Sequence, residues 1–252
     1  MGSISDPDGL WLSRAEDAVR LCDRRCAPCF LGFLDLREQA LLRPWLEKQA
    51  GVHWRFYGGF AEAERTLLGV FPDYFEPEDA LFPLQTVAFS YRPERSLNHR
   101  DLLGTLMSSG LRRESIGDIL CGEGLSVVFL REEIAPFVRE QVTRIGGEGV
   151  RCTPEYTGPL PQAHHFRPFR ETVASPRLDA VVKALIHCSR EQAAALVSDG
   201  LVEVEHRVVS AVAASVTAPC IISIRGHGRF AVDRMDTPTR KGRIQLDARQ
   251  YI

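Results

Sequence analysis

The chain reads as an α+β protein built from three unlike regions in series. Apolar residues recur at helical spacing near the start, from Trp11 through Ala15, Ala18, Val19 and Cys22. The centre alternates strand-like and helical stretches in the order βαββαβ. The last third opens with two short amphipathic helices and continues as glycine- and proline-punctuated strands. The expected divisions are a mostly helical region over 1–78, the βαββαβ domain over 79–158, a linker over 159–173 and a carboxy-terminal module over 174–252.

Taking the elements in order, the first helical stripe continues through Cys26 and Cys29, and a second helix is expected in LREQALLRPWLEKQA, bent or divided at Pro44. In HWRFYGGFAEAERTLLGVFPDYFEP, the Gly58-Gly59 break precedes an expected short helix. LQTVAFSY then predicts a strand, HRDLLGTLMSSG a helix, and ILCGEGLSVVFL two strands about a Gly122-Glu123-Gly124 turn. REEIAPFVREQVTRIG predicts a helix ending at Gly146, and VRCTPEYT a last strand. That order is the split arrangement of ferredoxin-like and RRM-like domains.

The Pro-rich, aperiodic stretch TGPLPQAHHFRPFRETVASP supplies the linker. Ser175-Pro176 then predicts a helix start, with Ser175 as N-cap and Pro176 at the first helical position. Leu178, Val181, Val182, Leu185 and Ile186 form one apolar stripe. Ser189 and Gln192 match a capping box that opens the second helix, and Gly200 stops it. Short strands are expected in LVEVE, RVVS, CIISIR and GRFAV.

Composition narrows the function classes. At 252 residues, 44% hydrophobic and 25% charged, the chain is ordinary for a globular protein. It has no apolar run near the ~20 residues of a membrane span. MGSISDPDGLWLSRAED lacks a basic stretch followed by an apolar core, so no secretion signal is expected. Seven cysteines, an odd number, fit a reducing cytoplasm better than a disulfide framework. Residues 174–252 hold 11 Lys and Arg against 8 Asp and Glu, while the remainder holds 20 against 25. The carboxy-terminal module is thus the part suited to a polyanion.

The run RLDAVVKALIHCSREQAAALVSDGLVEVEHRVV resembles the alpha-L RNA-binding motif, the ribosomal protein S-four type of module. The matching residues are Arg177-Leu178-Asp179, Ser189-Arg190, Ala193, Leu196-Val197, Gly200 and Val202-x-Val204. YGGFAEAER, HRDLLGTLMSSGLRRESIGDI and IRGHGRF extend the likeness over roughly residues 30–252, and together they resemble the YlmH family of bacterial RNA-binding proteins. The resemblance implies an RRM-like middle domain, an S-four-type carboxy-terminal domain, and partners in large-subunit rRNA and peptidyl-tRNA. It also implies rescue of obstructed large subunits, and a link to cell division. The chain departs from the family's Asn-Gly hairpin turn with Glu205-His206. A two-residue type I′ turn needs left-handed backbone at both positions, so a different or longer turn is expected.

Arg177 and Arg190, each at a helix start, are candidates to face one phosphate track, because a guanidinium fork matches phosphate. Lys183 and Ser189 belong to the same helical pair. Arg225 and Arg229 flank a glycine turn that lets backbone approach a ligand, and Arg240, Lys241 and Arg243 make a basic tail. In the middle domain Arg100, Arg112 and Arg113 are further candidates. The strands show no RNP-type aromatic pair, so shape and phosphate are expected to be read rather than base sequence.

Enzyme readings find less support. His99-Arg100-Asp101-Leu102 spells the start of a kinase catalytic loop, but Leu106 stands where a metal-binding Asn is needed. Asp101 or His99 is instead expected to bond near the helix start. His164-His165 would point to opposite faces of a strand, without further ligands. Cys22, Cys26 and Cys29 have the C-x3-C-x2-C spacing of a radical-enzyme cluster, yet lie on a helical stripe, with Pro28 before the last. No catalytic residue, metal or cofactor is therefore expected. An RNA-modifying enzyme and a cell-division-linked protein adaptor are the alternative classes.

Overall fold

The computed structural model describes residues 7–235 and 242–252. The chain divides into two compact units, residues 1–163 and 164–252.

The first unit begins with α1 (Pro7–Arg25), β1 (Cys29–Phe30), α2 (Leu36–Leu46), β2 (Val52–Tyr57) and β3 (Leu67–Pro72). The strands form an antiparallel sheet in the order β1-β3-β2. The expectation of a mostly helical region, with a short helix after Gly58-Gly59, is corrected here: the region holds this three-stranded sheet beside its two helices, and the LLGVFP run after the break is a strand. A short apolar run has no distinguishing period, and β3 is buried throughout because it has a core on each face. Leu68 and Val70 join a cluster with Ala15, Cys22, Leu42 and Leu46 from the two helices. Leu67 and Phe71 turn the other way, into a cluster with Ala88, Val127 and Phe129.

The cysteine stripe breaks as well. α1 ends at Arg25, Cys26 is exposed at φ +49°, and Cys29 starts β1. Pro28 cannot carry the helix on, so only Cys22 and Cys29 are buried in this core. Burial pushes the Cys22 thiol up to about 11.

The rest of the unit is β4 (Leu84–Ser90), α3 (His99–Ser108), β5 (Ile116–Cys121), β6 (Leu125–Arg131), α4 (Ala135–Gln141), β7 (Arg144–Ile145), β8 (Glu148–Gly149) and β9 (Arg151–Thr153). The four-stranded antiparallel sheet runs β5-β6-β4-β9, the ferredoxin-like order. α4 ends at Gln141, short of Gly146. Gly146 and Gly147, at φ +55° and +85°, turn the β7–β8 hairpin instead. α3 begins with a capping box: Asn98 Oδ1 accepts from the Asp101 amide, and an Asp101 carboxylate oxygen accepts from the Asn98 amide, both at 3.1 Å. The aspartate of His99-Arg100-Asp101 is thus a cap.

The helices cover one face of this sheet through Leu102, Leu106 and Val138. The amino-terminal part covers the other, where Phe60 stacks on Phe129 with ring centroids 4.9 Å apart. The loop before β3 is tied to β5. Asp118 accepts from the Glu64 and Arg65 amides at 2.7 and 3.1 Å, and Arg65 donates to the Ile116 and Phe33 carbonyls at 3.1 and 3.0 Å.

The second unit comprises β10 (Phe166–Val173), α5 (Leu178–Ile186), α6 (Arg190–Ser198), β11 (Val202–Val204), β12 (Arg207–Val208), β13 (Cys220–Ile224), β14 (Gly228–Arg234) and β15 (Ile244–Tyr251). Its antiparallel sheet runs β10-β15-β14-β13-β11-β12. The stretch expected as a linker therefore contains an edge strand, paired with β15 from Phe166↔Tyr251 to Val173↔Ile244. Pro168 is tolerated because β10 has a partner on one side only.

α5 starts at Leu178, not at Ser175-Pro176. Its first amides donate to the Ala214 and Val212 carbonyls, so a tertiary loop does what the Ser175 cap was expected to do. The α6 capping box matches the expectation: the Gln192 amide donates to Ser189 Oγ at 3.1 Å, and the Ser189 amide to Gln192 Oε1 at 3.0 Å. The β11–β12 turn corrects another expectation, for it stays at two residues, with Glu205 at φ +49° and His206 at φ +62°. Glu205 is anchored to β13, where its carboxylate accepts from the Ile221 amide at 2.6 Å and its own amide donates to the Ile221 carbonyl at 2.9 Å. Those contacts offset the cost of left-handed backbone at a residue with a Cβ.

Candidate nucleic-acid interface

The carboxy-terminal helices place two of the sequence candidates around one carboxylate. Asp179 lies in the first turn of α5 with only 2% of its surface exposed. Arg177 Nε donates to its Oδ1 at 3.0 Å, and Arg190 Nε donates to its Oδ2 at 2.9 Å. Arg190 is the first residue of α6, so the carboxylate ties the beginnings of both helices together. Burial disfavours the charged carboxylate, but the two arginine donors outweigh that and hold Asp179 below its ordinary carboxyl value.

The guanidiniums reach solvent beyond this anchor; the Arg177 and Arg190 side chains are 41% and 62% exposed. Arg177 adds a second, longer bond, from Nη2 to Asp179 Oδ2 at 3.4 Å. A guanidinium carries five N–H donors, so each arginine keeps donors beyond those spent on Asp179, and such donors suit phosphate. Asp179 was not among the sequence candidates. Its signal was the Arg-x-Asp spacing at the start of α5, which only the folded pair connects to Arg190.

Arg190 also lines a groove of about 400 Å³ together with Lys183, Arg243, His187 and Glu171. Lys183 is exposed on α5, and Arg243 donates to the Thr172 carbonyl at 2.7 Å. His187 Nδ1 is 3.7 Å from a Glu171 carboxylate oxygen. The fold thus brings Arg177, Lys183, Arg190 and Arg243 to neighbouring positions. Ser189 serves as the cap of α6.

Arg225 is exposed in the three-residue turn between β13 and β14, with Gly226 at φ +81°. Arg229 lies across the Tyr251 ring, its Cζ 3.9 Å from the centroid. Arg240 and Lys241 lie outside the described residues. In the first unit Arg100 and Arg112 are exposed, whereas Arg113 turns inward and donates to the Ile116 carbonyl at 2.6 Å. Burial and the neighbouring Arg65 charge lower Arg113 to about 10. Among the described residues no group of three or more His, Cys, Asp or Glu is arranged to hold a metal ion.

A family model described as "Putative RNA-binding domain in YlmH" matches residues 77–157, the βαββαβ domain. Over 216 residues the chain is 36% identical to "Ribosome-associated protein quality control protein P2" of Bacillus subtilis (strain 168), covering 85% of this chain and 84% of that one. The chain belongs to the YlmH family. A solved member, "Cell division protein ylmH from Streptococcus pneumoniae", matches with a TM-score of 0.53 at 19% identity, over 62% of this chain and 95% of that one. This likeness shows the shared fold over that part of the chain, and two of the sequence motifs that carry the resemblance meet within the first unit. YGGFAEAER and IGDI are the two segments joined by Arg65 and Asp118.

Proposed function

We infer that this protein is a non-catalytic RNA-binding protein that acts on the ribosome in the cytoplasm. The expected ligand is structured RNA, namely large-subunit rRNA and peptidyl-tRNA, and the expected role is large-subunit rescue or quality control. The observation that carries this reading is the pair of solvent-reaching guanidiniums fixed around buried Asp179. The name of the 36% identical relative supports the ribosomal setting. A binding role also fits how the polar groups are engaged: Asp101 caps a helix and Asp118 holds two loop amides.

Binding should be salt-sensitive, with log affinity falling by about 0.7–0.9 per phosphate contact for each log unit of salt. Replacing Arg177 and Arg190 together with alanine should weaken binding to structured RNA and reduce that slope by about one to two. Filter binding across a salt series reads both quantities, and unchanged affinity and slope would remove the two arginines from the interface. Crosslinking in cells with sequencing of bound RNA then tests the ligand. Recovery of large-subunit rRNA or tRNA is expected, whereas a partner set that survives complete ribonuclease digestion would favour a protein adaptor.

A further inference from the structure

Resting on the RNA-binding reading above, we propose that the outer face of the β10–β15–β14 sheet is a second RNA surface, on which unpaired nucleotides stack. Strand alternation defines that face. Val173, Phe230, Val232, Leu246 and Ala248 point into the core, so the alternate positions of the three strands point away from it. There Phe166 and Tyr251 are directly paired across β10 and β15, with ring centroids 4.8 Å apart. Arg229 lies over Tyr251 at 3.9 Å and Arg249 over Phe166 at 4.6 Å.

Charge surrounds this pair. Arg170 and Arg234 donate to Asp247 at 2.6 and 2.8 Å, and Arg249 donates to Asp233 at 2.7 Å. The irregularity between Val232 and Arg234 lets both Asp233 and Arg234 meet partners on β15. Four arginines against two aspartates leave the face cationic. Arg170, Arg234 and Arg249 stay 69%, 54% and 42% exposed while making these bonds.

A solvent-facing sheet surface usually carries plain polar residues. Rings and guanidinium planes set among positive charge are instead the elements on which proteins stack unpaired bases and neutralise the phosphates between them. The middle domain cannot present its sheet this way, because Phe129 and its neighbours lie under the amino-terminal core. Stacking is sequence-tolerant, which agrees with an interface that reads shape and phosphate.

The test uses the full chain and two RNA probes, a blunt hairpin and the same hairpin with a short unpaired tail. Wild type should hold the tailed probe about tenfold more tightly. Phe166→Leu with Tyr251→Leu keeps apolar volume and removes both rings. It should abolish most of that ratio while leaving blunt-hairpin affinity and its salt slope unchanged. Equal binding of both probes by wild type, or a ratio that survives loss of the rings, overturns the surface while leaving the interface at Arg177 and Arg190 intact. Failure to bind either probe overturns both readings. Should the double variant unfold, ultraviolet crosslinking of the tail to wild type decides: adducts on peptides holding Phe166 or Tyr251 support the surface, and adducts confined elsewhere overturn it.

Discussion

At Asp179 two effects compete. Burial opposes the charge, and hydrogen bonds from Arg177 and Arg190 favour it; the depressed carboxyl shows that the donors prevail. Replacing Asp179 with Asn keeps the shape and removes the charge. Net charge alone would then favour RNA, but the arginines lose their anchor, so affinity should fall several-fold in a filter-binding assay. Stability should drop by roughly 1–3 kcal/mol in urea unfolding, toward the lower figure because both arginines are partly solvated. A folded value below the unfolded one means that this contribution is complete above the ordinary carboxyl range and is lost as pH falls through the depressed value. The Asn variant should therefore show a shallower loss of stability on acidification. Elsewhere, His206 holds left-handed backbone, so His206→Gly should raise stability by about 0.5–1 kcal/mol in the same assay. Glu205→Gly should gain less, because it gives up the bond to the Ile221 amide.

Among the elements, those with a strong local signal were legible in advance. α6 has its cap and its glycine stop in one short run, and both take the expected place; Ala193 and Val197 are buried in the core and Leu196 is partly buried against it. Ser189→Ala should cost about 1 kcal/mol in thermal or urea unfolding, since one amide of the first turn loses its acceptor. β10 had no such signal. FRPFRETV contains a proline and three charged residues, and its partner strand begins at Ile244, far along the chain. Its side chains become intelligible only once β15 lies beside it, with Arg170 against Asp247 and Phe166 against Tyr251. β3 failed for the opposite reason: uniformly apolar runs fit helix and buried strand equally well.

At the scale of the first unit, β3 joins two cores. Its Leu68 and Val70 face the helices, while Leu67 and Phe71 face the middle sheet. The amino-terminal region and the βαββαβ domain therefore share apolar burial and should unfold together. Phe71→Ala should cost about 3–5 kcal/mol. Hydrogen exchange should show the loss in α2 and in β6 alike; a loss confined to the amino-terminal strands would mean that the two parts fold separately.

The sequence by itself determined the α+β class, the βαββαβ order, the α5–α6 pair and the arginines at their starts, because periodicity, caps and glycines act within a few residues. Tertiary structure alone decided that Asp179 aims Arg177 and Arg190 together, that Arg113 turns inward, and that β10 and β15 form a sheet. It also decided that the middle sheet is covered on both faces. Each of these rests on contacts between distant residues, where burial and hydrogen bonding outweigh local propensity.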